Sequence, residues 1–256
     1  MNTRTTSTST STSQRATLRR IVAGTVLCGL SITGITAVGT ASAGADPSSS
    51  VSGPKLEAAR TACLSALDRR VTRLDQLTSK VNGDQHLTDA HRSSLSGIVS
   101  HARSGMDTLR PQVQAATDAA SLRTPCESMV NDYRVFALVS PQVHLTRAAD
   151  AAAAGITKLA DVDTKIHAAI DTAAAAGKDV TKATADAEAF SAAVAKVGTD
   201  VGGLADAVLA VTPAAYNANH GVLDAARAQA KTARADAKAA RTAGQTVRAD
   251  LKALHG

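Results

Sequence analysis

Seven histidines, His86, His91, His101, His144, His167, His220 and His255, are the residues from which a metal or acid–base site would be built. None sits in an H-E-x-x-H pair, the helical spacing that puts two zinc ligands on one face. Asp163 and His167 stand one helical turn apart, and His86 and Asp89 lie similarly close. Two ligands can use such spacing, but Asp/His pairs are frequent on polar helix faces. No metal site and no cofactor are therefore expected. Serines are plentiful, yet no G-x-S-x-G turn exposes one as a nucleophile. No two acids share an apolar setting that would split their pKa values. No Gly-rich loop follows a strand to cradle phosphate. The expectation is a protein that is not an enzyme.

Two other groups of residues stand out. Cys63 and Cys126 are the cysteines left once Cys28 is assigned to a leader, and outside the cytoplasm such a pair forms a disulfide. The densest run of unusual residues is Asn131 to Phe136, followed by Val139 to His144. One interpretation makes it an interaction surface at a kink, with Tyr133, Arg134 and His144 reaching a partner. The preferred one is structural: Tyr133 and Phe136 fill the core and Arg134 pairs with a nearby acid.

The elements that carry these residues are helical. Leu56, Cys63, Leu67, Val71, Leu74, Leu77 and Val81 recur at threes and fours, one stripe of a first helix from Pro54 to about Asn82. A second starts at Thr88 as cap, with Leu87 as staple. It carries Leu95, Ile98, Val99, Ala102, Met106, Leu109 and Val113, with a kink at Pro111. A third begins near Thr124 or Pro125 and runs, kinked at Pro141, to Gly177. A fourth opens at Asp179 as cap and is weakened at Gly198, Gly202 and Gly203. Thr212-Pro213 starts a fifth, which frays at Asn217–Gly221 and ends near Leu254. Its stretch Arg227 to Arg248 is basic, but Asp236 and neighbouring acids dilute any pull on anionic wall polymer or lipid. No period-two alternation predicts a strand.

Residues 1–20 hold four arginines and no acid, Ile21 to Val38 is apolar, and Ala41-Ser42-Ala43 is small. That order predicts a secretory signal peptide over residues 1–43, cleaved after Ala43 by the general export route. The rival, a retained anchor over residues 21–40, is weakened by Gly24, Gly29 and Gly34. Cleavage removes four of the 28 basic residues and none of the 22 acids, leaving about +2. The basic balance is then no nucleic-acid footprint. Phe 2, Tyr 2 and Trp 0 leave the packing to Ala, Val and Leu.

The segments "LTDAH" at Leu87–His91, "DYRVFALVSPQVHLTRAAD" at Asp132–Asp150, "AAGKDV" at Ala175–Val180 and "LAVTPAAYNAN" at Leu209–Asn219 carry a resemblance. The chain resembles a group of secreted, all-helical, coiled-coil-like proteins of high-GC Gram-positive bacteria (actinobacteria) that have no assigned activity. The resemblance implies export and helicity. Some of that group look wall-anchored, but with no LPxTG motif and no C-terminal apolar segment here, covalent anchoring is not expected.

The expected fold is all-α, an elongated antiparallel helical bundle in which two three-helix bundles share one long kinked helix. Residues 44–53 form a flexible mature N-terminus, 54–140 the first bundle and 141–256 the second. Helices one and three run parallel there, so a Cys63–Cys126 bridge would close a loop of about 60 residues, worth on the order of 4 kcal/mol. The expected function is a secreted, non-enzymatic structural or interaction protein of the cell envelope or exterior. The alternative is a soluble module binding cell-wall polymer or a small ligand between helices. The expected partner is a cell-envelope protein or polymer, with no nucleic acid and no stable membrane anchor after cleavage.

Overall fold

The computed structural model describes residues 53–255. The expected signal 1–43, its cleavage at Ala43 and the stretch 44–52 lie outside the described residues. Gly53, expected in the flexible N-terminus, is instead the first residue of α1 (Gly53–Gly83). Every regular element among the described residues is helical, so the fold class is all-α.

The α1 stripe is buried at Leu56, Cys63, Leu67, Leu74, Leu77 and Val81, with Val71 half-buried at its edge. Thr88 caps α2 (Asp89–Ala115), its hydroxyl accepting the His91 N–H at 3.2 Å. Leu87 is buried just ahead of it. Pro111 is held within α2, which continues to Ala115. The next helix, α3 (Ala119–Asn131), starts earlier than Thr124. Asp118 and Ser121 form a capping box that satisfies first-turn N–H groups, and Pro125 falls inside the helix.

The long third helix is interrupted, and not at Pro141. The chain breaks at Asp132–Arg134, where Arg134 takes a left-handed conformation with φ 44°. A side chain there costs about 1 kcal/mol of backbone strain. A π-helical turn, Val135–Val139, follows, and the Val139 N–H reaches back to the Arg134 carbonyl at 3.2 Å. Pro141 lies in the first turn of α4 (Ser140–Ala175), where a missing N–H costs nothing. The wide turn directs Val135, Leu138 and Val139 inward. Phe136, expected in the core, is 49% exposed for that reason.

Asp179 accepts the Thr181 N–H at 3.0 Å, but the cap position of α5 (Thr181–Val201) belongs to Val180. The weak glycine region ends α5: Gly203 has φ 67°, a conformation that favours glycine, and separates it from α6 (Leu204–Leu209). Thr212 caps α7 (Pro213–Ala218), accepting the Ala215 N–H at 3.2 Å. The expected fifth helix is two, with residues 219–223 between α7 and α8 (Asp224–His255).

Packing follows from the apolar faces. The largest cluster lies among α1, α2, α3 and the π turn. A second, centred on Phe190, lies among α4, α5 and α8. A third joins Ala149, Leu204, Ala205, Val208 and Ala226, linking α4, α6 and α8. Contacts between α1 and the α3–α4 strip rise together in residue number. Cys63 is joined to Cys126, Arg73 reaches Ser140, and Asp84 reaches Arg147. The two therefore run parallel.

Two stability measurements follow. The cysteines lie 63 residues apart and their sulfurs are 2.01 Å apart. The Cys63→Ala/Cys126→Ala variant should lose about 4 kcal/mol in urea unfolding, the cost of releasing that loop in the unfolded chain. A Cβ on Gly105 would stand 2.1 Å from the Tyr133 ring, whereas one on Gly97 meets nothing within 4 Å. Gly97→Ala should gain up to about 1 kcal/mol from helix propensity. Gly105→Ala should lose about 1 kcal/mol net, because displacing the ring outweighs the same gain. Equal effects at both glycines would contradict the close Tyr133 packing.

Candidate functional site

The buried polar residues are Asp84, Ser140, Gln142, Thr146 and Asp150, and all but Asp84 lie on the first three turns of α4. Most are tied across helices. Ser140 Oγ accepts from Arg73 on α1. Gln142 Nε2 donates to the carbonyls of Val208 and Val211 at 3.0 and 2.9 Å, near the end of α6. Asp150 accepts the Thr88 N–H at 3.0 Å and His91 Nδ1 at 2.8 Å, at the start of α2. Arg147 donates to Asp84 at 2.5 Å, and Asp84 also accepts the His86 N–H at 2.8 Å. Burial raises the Asp84 pKa, but the His86 N–H and the Arg147 guanidinium overcome this and hold it below the usual carboxylate range. The Thr146 hydroxyl has no partner among the described residues.

His91 lies between two carboxylates. Its Nε2 faces Asp206 Oδ1 on α6 at 3.2 Å, beside a cavity of about 380 Å³ that Gly202, Gly203 and Ile156 help line. Asp150 fixes the ring as a carboxylate fixes a general base. The remaining nitrogen is aimed at Asp206, and the lining hydroxyl, Thr88, is occupied as the α2 cap. The doubly protonated ring satisfies both acids. The arrangement works as a titratable latch between α2, α4 and α6. Burial opposes charge on His91, yet Asp150 and Asp206 outweigh it and raise its pKa.

The residues singled out in the sequence are dispersed. Tyr133 leans on α2, its ring 5.7 Å from His101 and tight against Gly105. Arg134 points to α7: its Nε donates to Asn217 Oδ1 at 2.5 Å and its guanidinium lies 5.6 Å over Tyr216. Arg134 also bonds Asn131, so its partners are amides and not the expected acid. His144 faces α1, with Nε2 3.0 Å from Arg73 Nη2. The three belong to three separate contacts. Asp163 ties α4 to α5, accepting from Ser191 at 2.7 Å, while His167 reaches only Asp163 one turn back on its own helix. Among the described residues no group of three His, Cys, Asp or Glu side chains could hold a metal ion. No described helix is long and apolar enough to cross a membrane.

The parallel pairing of α1 with α4 builds one feature that the sequence did not show. Arg70, Arg73 and Lys80 of α1 align beside Phe136, His144 and Arg147. Arg70 lies 5.4 Å over the exposed Phe136 ring. Arg70, Arg73 and Lys80 have no acidic partner among the described residues. From Arg70 to Lys80 the row extends about 15 Å at 1.5 Å per residue. Burial first, then the charges of Lys80, Arg73 and Arg147, lower the His144 pKa, which marks the local potential as positive.

No family model matches the chain, and no curated protein or solved structure matches it either.

The two histidines titrate with opposite consequences. His91 has a raised folded pKa, so its stabilisation is complete below its ordinary value of 6.5 and fades as pH rises through the folded value. His144 has a lowered one, so its contribution holds above 6.5 and is lost as pH falls through the folded value. Thermal unfolding between about pH 5 and 8 should show a His91→Gln penalty that shrinks towards the basic end. His144→Gln should gain on the parent at the acid end. A pH-independent His91→Gln penalty would rule out the latch.

Proposed function

We propose that this chain is an exported, non-enzymatic helical protein of the cell exterior or envelope that binds an anionic envelope polymer along the α1–α4 row. The observation that carries this reading is the run of Arg70, Arg73 and Lys80 without acidic partners, set beside an exposed aromatic ring. Repeating negative charges on a glycopolymer match a linear row of cations better than a pocket, and Phe136 offers a face for sugar C–H groups. Export is supported by the order of residues 1–43 and by the Cys63–Cys126 pair, because disulfides persist in oxidising compartments. The resemblance to secreted helical proteins of actinobacteria points the same way. Asp84, Asp150, Asp163, His91 and His144 are engaged in contacts between segments of the chain, a structural use of residue types that an enzyme would expose in a cleft.

Co-sedimentation of the protein with purified anionic cell wall tests the proposal. Retention should fall steeply with added salt, since exposed charges are screened beyond ~10 Å at 0.1 M ionic strength. Arg73→Gln/Lys80→Gln should weaken it roughly tenfold, with helix content unchanged by circular dichroism. Salt-independent retention, or none, would defeat the reading.

A further inference from the structure

A second surface lies between α4 and α8, away from the cationic row. Both helices pack on α5, and between them an open groove of about 530 Å³ remains. Its floor is apolar: Ile156, Leu159, Val162 and Phe190. Val162 is 44% exposed there, one of two large apolar side chains left exposed among the described residues. An adjoining hollow of about 90 Å³ shares Ala152 and Ala237 with it and continues it towards Ala148 and Ala230. The two together follow α4 from Ala148 to Val162, about 20 Å of helix.

The rim has one sign of charge. Lys158 of α4 and Arg241 and Arg248 of α8 line the groove, and no acid does. None of the three has an ion-pair partner among the described residues, although neighbouring basic residues of the same helices' bundle do: Lys182 binds Asp186 and Asp250, and Lys196 binds Asp236. The groove is set apart by where these cations stand: three of them border one apolar floor, with no acid in the lining.

An apolar trough with a cationic border is complementary to an amphiphile with an anionic head. Its volume lies within the ~300–1,000 Å³ range of small-molecule sites and is too small for a packed helix, which is ~10–12 Å across with its side chains. Its length suits one acyl chain, since each leaflet of a bilayer's ~30 Å hydrocarbon core is about 15 Å deep. We infer that the α4–α8 groove binds a single-chain anionic amphiphile, its chain along Ile156, Leu159 and Val162 and its head against Lys158, Arg241 and Arg248. The contacts that favour it are buried methylenes and charge-assisted hydrogen bonds to the head. This goes beyond the polymer-binding row and does not depend on it: the two surfaces share no residue.

Titration calorimetry of the full chain with monomeric laurate, dodecanol and dodecyltrimethylammonium tests the inference. Laurate should bind one to one, the cationic amphiphile should not, and dodecanol should bind more weakly than laurate. Gly155 lines the groove, and a Cβ there meets nothing within 4 Å. Gly155→Leu therefore fills the trough without disturbing the helix, and should abolish laurate binding while helix content and unfolding midpoint hold or rise. Lys158→Gln/Arg241→Gln/Arg248→Gln should weaken laurate about 10- to 100-fold and leave dodecanol unchanged. Equal binding of all three amphiphiles, undiminished laurate binding by Gly155→Leu, or no laurate binding at all would overturn the proposal. So would sedimentation showing a dimer that Gly155→Leu dissociates, since the occupant would then be a second copy of the chain. Loss of wall retention in the Arg73→Gln/Lys80→Gln variant bears on the other surface alone.

Discussion

Asp150 carries a carboxyl group to a position that is 6% exposed. Removing a charged carboxylate from water costs several kcal/mol unless hydrogen bonds replace the water. Here the replacements come from one place, the start of α2: the Thr88 N–H and the His91 ring. Thr88 is also the cap of α2, so one residue ends a loop, starts a helix and holds α4. The same strip of α4 is tied to α1 through Ser140 and to α6 through Gln142. The early turns of α4 are thus where the N-terminal and C-terminal helices are both held, and the register of each depends on pairings that tolerate little sliding. An apolar Ala-rich contact would not discriminate one register from the next, because neighbouring Ala faces look alike. Directional polar ties do.

This division of labour explains which parts of the fold were legible in the sequence. The α1 and α2 stripes are made of Leu, Val, Ile and Met at helical spacing, and nearly every residue named from that spacing is buried. The Thr88 cap and the Thr212-Pro213 start were legible too, because each depends on local chemistry; the glycines near 202 were legible as a weakness within one helix, whereas they divide it into α5 and α6. The break at Arg134 was not. No Gly or Pro occupies it, and a left-handed arginine held by Asn131 and Asn217 is a tertiary effect. Pro141 drew attention to the wrong place because a proline in a first turn and a proline at a kink look the same in one dimension.

The candidate surfaces were less legible still. Asp150 and Gln142 are polar residue types that a helix ordinarily turns to water, yet they face inward, where their partners lie about 60 residues away in sequence. The cationic row depends on the parallel alignment of α1 and α4, and the amphiphile groove on the spacing of α4 and α8. Periodicity describes one helix at a time and is silent about which faces meet. Tyr133, Arg134 and His144 are close in sequence and diverge in space for the same reason: a left-handed residue and a π turn rotate each onto a different neighbour.

Charge distribution follows from these ties. Some of the acids are used in ties: Asp84 with Arg147, Asp150 with His91, Asp163 with Ser191, and Asp186 and Asp250 with Lys182, of which Asp84 and Asp150 are buried. Each acid drawn into a tie is withdrawn from the surface field, and in several cases its partner is a neutral group or a shared cation. The cations at Arg70, Arg73 and Lys80, and at Lys158, Arg241 and Arg248, are among those without an acidic partner among the described residues. A chain whose charges nearly balance beyond residue 43 can therefore present two positive surfaces, because balance is a sum over the molecule while binding responds to the local potential. The polar ties fix the register of an Ala-rich bundle, and that register decides which unpaired cations stand side by side.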